Sequence, residues 1–225
     1  MYWDWTYLLV IPGLLLGLWA QASVSSAYRK YGAVATRSGV TASEVARRML
    51  SASGNGNVTI SSVKGELADH YDPKANALRL SSGVKDSSSV AAIGIAAHEC
   101  GHAMQEGEGY GPLKLRTLLV PTVNIGSNLY FPIFFLGIIF SWRPLMVAGM
   151  LCFGLTLLFS LITLPVEFNA SRRAVACLEQ GGYVTEDELA GVKKVLRAAA
   201  MTYVAAAISS LLQLLRLFIL SRDRD

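Results

Sequence analysis

The chain has 225 residues, 52% hydrophobic and only 16% charged, with a formal net charge of +4 and a mean hydropathy of +0.41. Charged residues make up about a quarter of an ordinary soluble protein, so the apolar excess, gathered in long runs, indicates an integral membrane protein. The basic residues form no stripe interleaved with aromatics, which argues against nucleic-acid binding, and three cysteines without framework spacing argue against a disulfide scaffold.

The first apolar run extends from about Tyr7 to Ala22, with Trp3, Trp5 and Tyr7 as an interfacial aromatic belt. From Trp3 to Val24 it is long enough to cross a bilayer as a helix. Ala20-Gln21-Ala22 resembles a signal-peptidase site, but signal peptides start basic. Here Asp4 precedes the run, and Arg29, Lys30 and Arg37 follow it. Residues 1–24 therefore read as an uncleaved anchor with its N-terminus outside.

Residues 25–116 read as a water-exposed segment. Thr41-Ala42-Ser43-Glu44 is a capping box opening a helix from Val45 to Ala52, stopped by Gly54. Val58-Thr59-Ile60 predicts a strand, Asp69 to Pro73 a turn, and Asn76 to Ser81 a second strand. Ser87 to Ser89 offer N-caps for a helix ending near Gly107.

That helix carries His98-Glu99-Cys100-Gly101-His102, two of the chain's three histidines flanking a glutamate. Residues four apart share a helix face, so both imidazoles can point at one spot. Neutral imidazole is a standard zinc ligand, and Glu99 can reach a water on that metal. Small neighbours (Ala96, Ala97, Gly101, Ala103) suit a crowded backbone. Cys100, two positions on from His98, points off the ligand face and reads as packing. One zinc ion with three protein ligands and an open position is the expected catalytic arrangement.

Residues 117–165 predict a transmembrane hairpin. Leu118 to Phe140 is interrupted by Pro121, Asn124 and Pro132, read as kinks, and Ser141 to Pro144 links it to Leu145–Leu164. Residues 166–197 continue as a helix to about Gln180, stop at Gly181-Gly182, and restart at a second capping box, Thr185 to Glu188. Residues 198–225 hold a final apolar run, Ala198 to Leu220. Lys and Arg concentrate in 25–116 and 166–197, whereas the outer link holds only Arg143. The positive-inside rule then predicts four spans of a cytoplasmic membrane, both polar segments on the cytoplasmic side and both termini outside. Arg216, Arg222 and Arg224 oppose that assignment, with Asp223 and Asp225 beside them.

This topology brings Glu167 to the same membrane face as the histidine pair. A carboxylate beside an apolar run is costly unless partnered, which makes Glu167 the leading third ligand; His70 is the competitor.

The zinc motif followed far downstream by Glu167-Phe168-Asn169-Ala170-Ser171 resembles the gluzincin pattern of membrane metalloproteases. With the Asp69–Pro73 turn, Pro165 to Ala174 and Thr202 to Ala206, it resembles the bacterial YugP-like zinc metallopeptidases over nearly the whole chain. These are similar to the CAAX-prenyl-protease and heat-shock membrane protease group, in which a glutamate on a second helix is the third ligand. That group has an Asp four residues beyond the ligand glutamate; here Ser171 stands there, with Asn169 or Arg172 as substitutes.

The fold expected is mainly α: about four transmembrane helices with a cytoplasmic-side, zincin-like subdomain containing a small β element. The function expected is an integral membrane zinc endopeptidase with His98, His102 and Glu167 on the metal and Glu99 as general base. His70 and Tyr71 are candidate oxyanion or substrate contacts. Its partners would be extended polypeptide, pairing with the Asn76–Ser81 strand near Arg79, and membrane lipid, with no nucleic acid. The resemblance suggests misfolded or membrane proteins as substrates. The alternative is a catalytically silent assembly stapled by zinc, but structural zinc needs no adjacent base and favours closed, Cys-rich sites. A transporter is disfavoured because only Arg216 is an ionisable residue clearly within a span. Polar flanks, Ser87 to Ser89 and Gln105 to Glu108, set the motif helix at the membrane surface rather than across it.

Overall fold

The computed structural model describes residues 5–222. Trp3 of the expected N-terminal belt, Asp4 ahead of the apolar run, and Asp223, Arg224 and Asp225 of the tail lie outside the described residues. A 3-10 turn, Trp5–Leu9, leads into α1 (Ile11–Gly32). There follow α2 (Ala42–Ala52), β1 (Thr59–Val63), β2 (His70–Asp72), β3 (Ala77–Ser81), α3 (Ser82–Lys85), α4 (Val90–Gly107), α5 (Gly111–Ile139), α6 (Arg143–Gln180) and α7 (Glu186–Arg222). The protein is mainly helical with one three-stranded sheet.

Among the described residues, four helices are long and apolar enough to cross a membrane: Trp5–Gly32, Gly111–Ile139, Arg143–Gln180 and Glu186–Arg222. Only 11–22% of each apolar window is buried within the protein. The rest, with Leu14, Leu18, Leu118, Phe131 and Leu151 exposed, is stable only against lipid.

The chain divides into two compact units. The first comprises Met1–Gln21, Lys114–Pro165 and Met201–Asp225. Its core gathers Phe134, Met146, Phe153 and Leu217. Helices α5 and α6 meet there on small residues: a Cβ on Gly149 would lie 2.8 Å from the Phe134 backbone nitrogen. Such close approach is how helices associate where lipid tails are as apolar as leucine. Helix α5 runs unbroken through Pro121 and Pro132, and the polar Ser127 and Asn128 side chains both donate to the Asn124 carbonyl. Arg216 is partnered: its Nε donates to Thr6 Oγ1 at 3.2 Å, and its guanidinium lies 3.9 Å from the Tyr7 ring centroid. Hydrogen bonding and cation–π attraction together lower the cost of an apolar setting.

The second unit comprises Ala22–Leu113 and Val166–Ala200. Helix α1 continues to Gly32, past the expected end of the apolar run near Ala22, because no glycine or proline interrupts Ala22 to Tyr31. Helix α2 opens on the capping box: Thr41 Oγ1 accepts the Glu44 N–H and the Glu44 carboxylate accepts the Thr41 N–H. It buries Val45, Ala46, Met49 and Leu50 against α4. The sheet runs β1-β3-β2, with β1 parallel and β2 antiparallel to the central β3. Two expectations change here. The Asp69–Pro73 turn contains a strand, β2, held by pairing Tyr71 with Leu78. The Asn76–Ser81 strand is central, so its backbone is already paired on both sides and cannot take a substrate strand. Ser89 caps α4 by accepting the Ala92 N–H at 3.2 Å. Cys100 is fully buried with its Sγ 3.7 Å from the Ala46 carbonyl oxygen, a packing residue as expected.

Candidate metal centre

Helix α4 presents His98 and His102 one turn apart, their rings edge to face with centroids 4.8 Å apart. Helix α6 brings Glu167, 2% exposed, against both. Its Oε2 lies 3.2 Å from His98 Nε2 and 3.6 Å from His102 Nε2. Ligand atoms of these three residues all lie within 4.8 Å of one another, the spacing of a metal site. His70 falls outside the group: it is exposed on β2, with Nδ1 2.8 Å from the Ala68 carbonyl oxygen.

The donor set fits zinc. Two imidazole nitrogens and one carboxylate oxygen leave a tetrahedral ion an open position. The opposite ring nitrogens are also held. Gln105, wholly buried, donates through Nε2 to the Val166 carbonyl and to Asn169 Oδ1, both at 2.9 Å. This fixes its Oε1 toward His102 Nδ1 at 3.0 Å. An acceptor there keeps the proton on Nδ1 and the Nε2 lone pair free for metal. Ser171 Oγ lies 3.1 Å from His98 Nδ1. Ser171 thus makes the contact at the position where the related group has Asp. Asn169 serves the other histidine through Gln105, and Arg172 contacts neither.

Sequence reasoning missed Gln105, which looked like a polar flank. Its signal is its place three residues after His102, on the same helix face. The relay continues outward: Asn169 Oδ1 accepts from Arg173 Nε at 2.7 Å, and Arg173 forms a two-bond pair with the exposed Glu108.

Glu99 lies against α4's buried side, and burial pushes its carboxyl above the ordinary value, opposed by the histidine pair. Its Oε2 accepts the Tyr71 backbone N–H at 3.0 Å. The outer edge of β2 therefore faces the glutamate between the two histidines. The Tyr71 hydroxyl is committed elsewhere, donating to Asn76 Oδ1 at 3.0 Å. Arg79 pairs with Asp72 at 3.0 Å, bracing β2 on β3.

Gly101 explains how α6 comes so close. A Cβ at this position would meet the Ala170 backbone, 3.0 Å from its carbonyl carbon and closer to its oxygen. Only glycine lets the helices approach here.

A family model described as "Putative neutral zinc metallopeptidase" matches residues 6–222. The "Putative membrane protease YugP" of Bacillus subtilis (strain 168) is 44% identical over 220 residues, 96% of this chain and 98% of that protein. No solved structure matches the chain.

Proposed function

Because the chain belongs to the neutral zinc metallopeptidase family, we propose that it is a membrane-integral zinc endopeptidase of gluzincin type. In this reading one zinc ion is held by His98, His102 and Glu167, and Glu99 is the general base. The observation that carries it is the convergence of both Nε2 atoms on the buried Glu167 carboxylate, with Glu99 beside them on α4.

When bound, zinc supplies Lewis-acid polarisation of a carbonyl and acidifies water. The chain's residues supply the rest. Glu99, between the two histidines on α4 and held by the Tyr71 N–H, is placed to accept a proton. It takes the proton of the attacking water as oxygen adds to the peptide carbon, and passes it to the amine nitrogen as the C–N bond breaks. Tyr71 N–H holds one Glu99 oxygen and fixes the carboxylate's direction. Gln105 and Ser171 orient the two imidazoles.

Extended polypeptide is the substrate form, laid along the outer edge of β2. Strand addition there uses backbone hydrogen bonds and selects unfolded segments, consistent with misfolded or membrane-protein substrates. His70, exposed on that edge, is a substrate contact in this reading, and so is the Tyr71 backbone carbonyl, since the Tyr71 N–H is held by Glu99. The excess of Lys and Arg in 25–116 and 166–197 supports a cytoplasmic-facing site. We divide the chain functionally as an anchor (1–24), a catalytic segment (25–116), a hairpin (117–165), a ligand-bearing segment (166–197) and a last span (198–225).

The test is zinc content and casein cleavage of detergent-purified protein, comparing wild type with Glu99→Gln, Glu167→Ala and His70→Ala. Zinc lost with Glu167→Ala, and zinc kept but cleavage abolished with Glu99→Gln, would support the assignment. Zinc surviving Glu167→Ala but lost with His70→Ala would overturn the ligand set.

A further inference from the structure

Beside the metal centre, and sharing Ser171 with it, the second unit holds an open groove of about 470 Å³ between α6 and α7, within the usual size of a small-molecule site. Two facing helical stripes form it. On α6 these are Phe168, Arg172, Val175 and Glu179, spaced one turn apart; on α7, Lys193, Leu196, Arg197 and Ala200. The floor is apolar and the rim carries three cations against the single carboxylate of Glu179. Arg172, Lys193 and Arg197 form no ion pair among the described residues. The adjacent Arg173 is different, since Glu108 already neutralises it.

Both stripes also lie where apolar runs end. Phe168 is four residues past the Leu145–Leu164 run, about 6 Å along the helix. Ala200 lies just inside the run that begins at Ala198, and Lys193 about 10 Å outward from it. A bilayer's headgroup layer is about 5–8 Å deep on each side of its hydrocarbon core. An apolar floor joined to an unpaired basic rim at this depth matches an acyl chain joined to a phosphate. We propose that this groove binds an anionic phospholipid, its phosphate among Arg172, Lys193 and Arg197 and its first methylenes on Phe168, Val175 and Leu196. Basic pockets between helices at a membrane face recognise lipid headgroups in this way.

The experiment uses the full chain, zinc-loaded, in nanodiscs of phosphatidylcholine with or without phosphatidylglycerol. Bound phosphatidylglycerol is counted after extraction by native mass spectrometry. The triple variant Arg172→Gln, Lys193→Gln, Arg197→Gln is expected to bind it at least about tenfold more weakly. Ala176→Trp, which leaves the rim cations and fills the groove, should also weaken binding. A charge-matched control, Arg47→Gln, Arg48→Gln, Lys74→Gln, should bind as wild type does. Equal loss in the control would overturn the proposal in favour of non-specific charge. Full competition by inorganic phosphate, with Ala176→Trp harmless, would reduce it to a bare anion site and overturn the lipid. Unchanged lipid binding in the triple variant, with a raised KM for casein in phosphatidylcholine alone, would assign the groove to substrate instead.

Discussion

Gly101→Ala is the sharpest test of how the metal centre is held together. The added Cβ would stand 3.0 Å from the Ala170 carbonyl carbon and 3.1 Å from its Cα, and closer still to its oxygen, where ordinary contact begins at 3.4 Å. These are backbone atoms on two helices, so relief requires α4 and α6 to separate by several tenths of an ångström or more. Overpacking of this kind costs about 1–3 kcal/mol. Glu167 is one turn before Ala170, and zinc ligand distances tolerate only about 0.2 Å. The carboxylate therefore leaves its ligand position as the helices part. Zinc affinity, read by chelator competition on the detergent-purified full chain, is expected to fall about 10- to 100-fold, the range seen when supporting contacts are lost. The metal-free melting temperature should also fall. Gly94→Ala is the comparison: its Cβ would meet the Val192 side chain at 3.2 Å and the Val192 Cα at an ordinary 3.7 Å, and should cost much less. Unchanged zinc affinity and melting temperature in Gly101→Ala would refute the close approach and the role of glycine in it.

Gln105→Leu should lower zinc affinity about 10- to 100-fold, whereas Ser171→Ala, losing one hydrogen bond worth about 1 kcal/mol, should cost less than tenfold; chelator competition ranks the two. Glu99→Gln should stabilise the metal-free protein, because a carboxyl raised above 4.5 by burial penalises the fold above its raised pKa and not below the unfolded value. Melting metal-stripped protein across pH checks the sign: the gain should vanish below pH 4.5 and be full above the raised pKa. Glu188→Ala should destabilise the protein by about 2 kcal/mol, since the carboxylate accepts the Arg37 and Thr185 backbone N–H groups, both at 2.7 Å; equilibrium unfolding measures it.

The sequence made the helical histidine pair legible because ligand spacing and helix period coincide. The apolar runs made the four candidate spans legible for the same kind of reason: length alone separates them from core helices. Glu167 led His70 in the sequence only through topology and its place beside an apolar run; the close packing of α6 on α4 that Gly101 allows depends on contacts the sequence does not display. Strand β2 was hidden because three residues carry no period. It exists through pairing with β3 and through Asp69, which accepts the Ser81 N–H at 2.7 Å. Arg172 and Arg173, on adjacent helix positions, face different surroundings, one beside the groove and the other on Glu108. Gln105 was invisible as a positioning residue because its partners, Val166 and Asn169, lie about sixty residues downstream.

The order of the proposed ligands along the chain bears on biogenesis. His98 and His102 precede the α5–α6 hairpin, and Glu167 follows His98 by 69 positions. At translation rates of about 5–20 residues per second, the histidines exist for several seconds before their carboxylate partner is made. Helix α6 must be complete through Ala174 before it can pack on α4. Under the proposed ligand set, the nascent chain holds only two of the three metal-holding side chains until the hairpin and the start of α6 are made. Under the proposed function, a chain built in this order has no complete site with which to attack neighbouring nascent chains until α6 is made.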